Sequence, residues 1–297
     1  MNESKRPLFQ KTAERYASQE GHRLMLPVIE KELLHYEILQ AMDEARLLDR
    51  LTFQGGTCLR LCYGAERYSE DLDFAGGADF DAYSLAELKD VLEEVVGKRY
   101  GLHVSVKNPK ALNDASRALG VSVDVWKLVV VTAPDRPDIP HQRISLEVAS
   151  VPAHTKQIRN MEVRYAGLPS SYGDVLVPCE MLEEICADKL KAFVCAENIR
   201  YRDLWDLRWI AAYPGFKKGM IPEILALKLK DYSATKLYAD KLTGVLDSID
   251  VIIASDAFMT QMKRFLPMSV VERTIARPEY RDHVVATIRE LYEIANS

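Results

Sequence analysis

The sequence lacks several features that would mark a special class of protein. No apolar run approaches the roughly 18 residues that a membrane-spanning helix takes. The opening stretch, Met1-Asn2-Glu3-Ser4-Lys5-Arg6-Pro7, has neither the apolar segment nor the small-residue cleavage site of a signal peptide. Both absences lead us to expect a cytoplasmic protein with no membrane part. Cysteine is sparse and odd in number: Cys58, Cys62, Cys179, Cys186 and Cys195. None stands in a Cys-x-x-Cys pair, and the six histidines are scattered without paired-ligand spacing. Zinc is therefore not expected, and the thiols read as buried and reduced. An excess of positive charge is missing too. With 39 basic against 44 acidic residues the formal net charge is −5, which argues against a strongly basic, non-specific nucleic-acid binder but leaves room for a local basic patch. There is no internal repeat and no low-complexity segment.

What remains is an ordinary globular composition, 48% hydrophobic and 28% charged over 297 residues, long enough for two domains. Residues 12–48 read as helical, with Leu24, Leu26, Ile29, Leu33, Leu34, Ile38, Leu39 and Met42 at three- and four-residue intervals. A short strand at 51–54 stops at Gly55-Gly56, and a helix resumes from Thr57. A second short strand covers 72–74. Residues 83–99 form an amphipathic helix. Strands follow at 102–106, 121–131 and 144–148, separated by turn signals at Asn108-Pro109, Asn113-Asp114 and 134–140, with a further strand at 162–165. From Pro178 onward helical periodicity dominates, with one helix through 203–210 and others near 220–231, 233–252, 255–265 and 280–295. The expected architecture is an α/β (α+β) N-terminal domain, residues 1–170, and an all-helical C-terminal domain, residues 171–297.

Two features of the N-terminal half suggest chemistry. A strand ending in Gly55-Gly56 with Thr57 near the start of a helix presents unpaired backbone N–H groups, and glycine lets a phosphate come close to them. Asp71-Leu72-Asp73 lies on a strand, where residues two apart share a face, so two carboxylates could share a divalent cation while Leu72 enters the core. A third carboxylate is available at Glu147, whose strand alternates Ile144, Leu146 and Val148 with Ser145, Glu147 and Ala149. Asp124 has the same pattern and is a rival candidate.

Phe53-Gln54-Gly55-Gly56-Thr57-Cys58-Leu59, followed by Arg67-Tyr68-Ser69-Glu70-Asp71-Leu72-Asp73-Phe74, resembles the signature of the AbiEii/AbiGii nucleotidyltransferase toxins. With the related MenT toxins, these belong to the DNA polymerase β-like nucleotidyltransferase superfamily. Tyr68 stands where Phe is usual, and Cys58 where a small residue is. Ile29-Glu30-Lys31-Glu32 is similar to the Glu-Lys-Asp helix of one branch. Ala187-Asp188-Lys189-Leu190-Lys191-Ala192-Phe193 and Arg200-Tyr201-Arg202-Asp203-Leu204-Trp205-Asp206-Leu207 are similar to its later segments.

The resemblance implies a nucleotidyltransferase-type mixed β-sheet flanked by helices and a metal-dependent transfer of NMP from an NTP. Asp71 and Asp73 would bind Mg2+ (or Mn2+), with Glu147 as third carboxylate. Gly55, Gly56, Thr57, Arg67 and Ser69 would contact the nucleotide. Lys189 would neutralise phosphate charge, and Asp203 or Asp206 would act on the attacking hydroxyl or anchor Lys189. It further implies an RNA acceptor, the 3′ end of tRNA first, a consequent block of translation, and a cognate antitoxin that need not form a stable complex. Lys189, Lys191, Arg200, Arg202, Arg208, Lys217 and Lys218 could meet RNA. Trp205 and Trp209, four apart on one helix, read as core packing before a base-stacking platform. Two alternatives are a small-molecule, antibiotic-type nucleotidyltransferase and a catalytically inactive nucleotide-binding regulator.

Overall fold

A computed structural model describes residues 8–19, 25–109, 121–136 and 138–297. Leu24 and the turn at Asn113-Asp114 lie outside the described residues. The chain divides into two compact units, the first comprising Met1–Pro152 with Ile158–Cys179 and the second Ala153–Gln157 with Glu180–Ser297.

The first unit is built on a seven-stranded mixed sheet. Its strands are β1 (Thr52–Gln54), β2 (Leu72–Ala75), β3 (His103–Lys107), β4 (Val123–Val131), β5 (Gln142–Ala149), β6 (Gln157–Asn160) and β7 (Leu176–Cys179), in the spatial order β3-β4-β5-β2-β1-β7-β6. The central strand β2 is antiparallel to β1 and parallel to β5, and β7 joins β1 in parallel. Strand alternation divides the residues between two faces. Phe53 pairs with Phe74, Phe74 with Val148, and Leu72 with Leu146, which pairs in turn with Trp126. All of these are buried, and the two phenyl rings stack with centroids 4.9 Å apart. Four helices complete this unit: α1 (Leu8–Gln19), α2 (Leu26–Glu44), α3 (Gly55–Cys62) and α4 (Leu88–Tyr100). Gly101, left-handed at φ +64°, ends α4.

One strand expectation needs correction, and two strands were not expected. Residues 162–165 form no strand, because their backbone groups are engaged elsewhere: Glu162 N–H donates to the Leu61 carbonyl at 2.7 Å, and its own carbonyl accepts from the Tyr36 hydroxyl at 2.6 Å. The sheet is extended instead by β6 and β7. The second of these contains Pro178, which cannot donate to a ladder and disguised the strand as a breaker.

The second unit is helical: α5 (Leu182–Cys195), α6 (Tyr201–Ala211), α7 (Ile221–Asp231), α8 (Thr235–Ala254), α9 (Asp256–Lys263), α10 (Met268–Arg273) and α11 (Pro278–Ala295). Its core gathers Ile185, Leu190, Leu204, Trp205, Leu207, Leu225, Ile253, Ile288 and Leu291. The short α10 was not expected from periodicity. Trp205 is 2% exposed, as the core reading anticipated, whereas Trp209 is only half-buried. No described helix is long and apolar enough to cross a membrane.

Candidate active site

The sheet register assembles the acidic centre. Asp73 is the direct partner of Glu147 on β5 and of Gln54 on β1, so the three side chains form a row across neighbouring strands on the face opposite the buried aromatics. Asp71 stands two residues before Asp73, just ahead of β2, and its carboxylate accepts the Ser145 N–H at 3.3 Å. Leu72 between them is fully buried, which holds both aspartates on the more open face. The two candidates for a third carboxylate lie on opposite faces of the sheet. Asp124 pairs with Val148 while Glu147 pairs with Val125, so Asp124 faces the core side and Glu147 lies beside Asp73.

The glycine turn is required by its neighbours. Gly55 has φ +76°, and a Cβ there would lie 2.6 Å from the Asp73 Oδ2. At Gly56 a Cβ would fall onto the Arg67 guanidinium and 2.9 Å from the Ser69 Oγ. The start of α3 thus meets Asp73, Arg67 and Ser69 at backbone range. Arg67 and Ser69 are buried, and Arg67 donates to the Tyr68 carbonyl at 2.7 Å. The buried Thr57 hydroxyl donates to the Asp71 carbonyl, tying α3 to the first aspartate.

Helix α2 braces this segment from below, and sequence patterning had not shown it. Lys31 pairs with Glu70 at 3.0 Å, and His35 Nε2 lies 3.1 Å from the Glu70 carbonyl, the residue just before Asp71. Burial pulls the His35 pKa down to about 4, so the ring is neutral and its Nε2–H donates. Glu32, 1% exposed, receives Arg60 of α3 in a two-pronged pair at 2.6 and 3.0 Å. Arg60 also donates to the Ala65 and Glu66 carbonyls at 3.1 and 2.9 Å and lies over the Tyr68 ring. A buried charge needs such pairing; here it organises the loop that leads to Arg67. The sequence signals were charge recurring inside an apolar helix and the likeness of Ile29–Glu32 to a family helix.

Gln54 was also missed. Its Oε1 is buried with no hydrogen-bond partner among the described residues, beside Asp73 in the row. Its position immediately before Gly55-Gly56 at the end of β1 was the available clue.

In the second unit Lys189 is buried and ion-paired to both Asp203 at 2.9 Å and Asp206 at 2.7 Å. Burial alone would raise the Asp203 pKa, but Lys189 and Arg200 outweigh it and hold the carboxyl at about 2. Both aspartates therefore anchor the lysine. Of the basic residues expected to meet RNA, Lys189 and Lys191 are only 7% exposed, and Lys191 is bound to Asp188 at 2.9 Å and to the Tyr232 ring. Lys218 pairs with Glu290 at 2.6 Å. Arg200 and Lys217 are exposed.

The donor set of Asp71, Asp73 and Glu147 is all hard oxygen, which fits a magnesium-type ion, and the two glycines leave the room that a phosphate needs at a helix start. Elsewhere in the first unit the sulfurs of Cys58, Cys62 and Cys179 lie within 4.8 Å of one another.

Residues 37–286 match the family model described as nucleotidyl transferase AbiEii toxin, Type IV TA system. Two solved structures from Helicobacter pylori are similar. A crystal structure of a candidate nucleotidyltransferase is 20% identical, with a TM-score of 0.49, covering 90% of this chain and 96% of that one. JHP933 is 18% identical, with a TM-score of 0.46, covering 90% and 93%. A search of curated proteins finds no match.

Proposed function

The chain belongs to the AbiEii nucleotidyl transferase toxin family of type IV toxin–antitoxin systems, and from that premise we propose that it moves NMP from an NTP to an RNA, the 3′ end of tRNA being the acceptor. The observation that supports this best is the row of Asp73 and Glu147 on adjacent strands, with Asp71 two residues upstream and the glycine turn against Asp73. In this reading the acceptor hydroxyl attacks the α-phosphorus, the RNA gains one nucleotide through a new phosphodiester, and pyrophosphate leaves. Asp71, Asp73 and Glu147 would hold Mg2+ or Mn2+, which supplies charge neutralisation on the phosphates and a lowered pKa for the attacking hydroxyl.

The remaining work falls to the chain itself. Gly55 and Gly56 admit the phosphates to the N–H groups of α3, and Arg67 and Ser69 border that turn. Thr57 keeps the Asp71 backbone in place. In the second unit Lys189 is held by Asp203 and Asp206; a phosphate-neutralising role for it rests on the resemblance alone. Transfer to tRNA would block translation in the cytoplasm, and a cognate antitoxin would hold this in check.

Each of the four labelled NTPs incubated with purified tRNA and Mg2+ tests the reading. Wild type should label tRNA, and Asp71→Ala or chelation should cut the rate by about 100-fold or more, roughly 3 kcal/mol of transition-state stabilisation. Undiminished labelling by Asp71→Ala would sink the metal-site assignment. Label appearing on small molecules and never on RNA would move the acceptor to the antibiotic-type alternative.

A further inference from the structure

Three of the five cysteines converge in the first unit. Cys58 and Cys62 stand four residues apart on α3 and so share a helix face. Cys179 arrives from β7, where it pairs with Phe53 of β1. The three Sγ atoms all lie within 4.8 Å of one another, and the residues are 0%, 1% and 0% exposed. Packing alone would be served by alanine or valine at these places; three sulfurs at one point form a donor set.

We propose that Cys58, Cys62 and Cys179 bind a soft monovalent d10 cation of the copper(I) type through three sulfurs. Thiolate sulfur selects soft ions. The group contains no histidine or carboxylate among the described residues, and full burial bars water from a fourth position. Zinc, which takes four ligands in closed sites, is poorly served by that set, whereas a three-coordinate ion is satisfied. Metal–sulfur bonds of about 2.3 Å put the sulfurs of a trigonal site about 4 Å apart, inside the spacing already present. Arg159 supplies a nearby positive charge, anchored by its Nε–H to the Cys62 carbonyl at 2.6 Å and lying over the Tyr63 ring. This offsets the negative charge that the sulfurs carry when they coordinate. Each ligating thiol releases its proton to solvent and copper stays monovalent throughout, so no oxidant is needed and binding weakens as pH falls. The proposal stands on the sulfur geometry alone and is independent of the transfer reaction.

The test is an anaerobic Cu(I) titration of the reduced full chain against a competing chromophoric chelator, with a parallel Zn2+ titration. One equivalent of Cu(I) should bind, and X-ray absorption should show sulfur-only three-coordination. Cys58→Ala, Cys62→Ala and Cys179→Ala should each weaken binding by about tenfold or more, while Cys186→Ala and Cys195→Ala should not. Alkylation mapping on the wild-type chain covers variants that fail to fold: Cu(I) should shield these three cysteines more than Cys186 and Cys195. Equal shielding of all five, binding no tighter than in the triple-alanine chain, or a preference for four-coordinate zinc would overturn the proposal.

Discussion

At the scale of the residue, the site depends on atoms that are absent. Gly55 sits at φ +76° with Asp73 Oδ2 at the distance where a Cβ would collide. Gly55→Ala should therefore destabilise the first unit by about 1–3 kcal/mol through backbone strain and overpacking, and should abolish labelling, as urea titration and the transfer assay would show. Gln54→Leu has the opposite signature. Removing a buried acceptor without a donor should be neutral or stabilising by about 1 kcal/mol, while nucleotide binding weakens; a lower melting temperature would count against that account. His35 carries the pH dependence. Its pKa is about 4 in the fold because burial disfavours the charged ring, against 6.5 for the free side chain. The unfolded chain thus binds the proton first, so the His35 contribution is complete above pH 6.5 and is lost as pH falls toward 4. The loss amounts to roughly 3 kcal/mol. His35→Gln keeps a donor toward Glu70 and should flatten the stability profile over that range.

At the scale of the element, α2 and α3 work as a braced pair. The Glu32–Arg60 contact is nearly solvent-free, so removing one partner leaves an uncompensated charge. Arg60→Ala should cost about 3–5 kcal/mol, and because Arg60 also holds the Ala65 and Glu66 carbonyls, transfer should fall even in conditions where the protein is folded. A replacement of both Glu32 and Arg60 by apolar residues should recover most of the stability but not the activity, which a paired denaturation and labelling experiment can separate. The strands were legible where their pattern was long: β4 and β5 alternate over nine and eight residues. The four-residue β6 and β7 were not: the equally short β1 and β2 lie in a recognisable motif, whereas β6 and β7 have none and Pro178 reads as a stop. Local sequence cannot show that a neighbouring strand will complete such a pairing.

At the scale of the whole molecule, buried charge recurs as a structural device in each unit. In the second, Lys228 of α7 is fully buried against Glu180 at 2.9 Å, Glu184 at 2.6 Å and Asp188 at 2.9 Å. Burial would lower the Lys228 pKa, but the three carboxylates outweigh it and raise it; burial pushes Glu180 up, toward its neutral form. Lys228→Met strands the remaining acids and should cost about 3–5 kcal/mol in equilibrium unfolding; a loss under 1 kcal/mol would show that the acids simply protonate. The sequence by itself determined the mixed α/β character, the glycine turn, the Asp71–Asp73 pair and the family resemblance, because each is written in contiguous residues whose period or spacing is local. It did not show that Glu147 and Asp124 lie on opposite faces of the sheet, that the Thr57 hydroxyl meets the Asp71 carbonyl, or that Cys179 meets Cys58 and Cys62. Only the tertiary structure decided those points: strand register sets which face a side chain occupies, a shift of one residue exchanges the two faces, and the packing of α3 against distant strands brings together residues far apart in the chain.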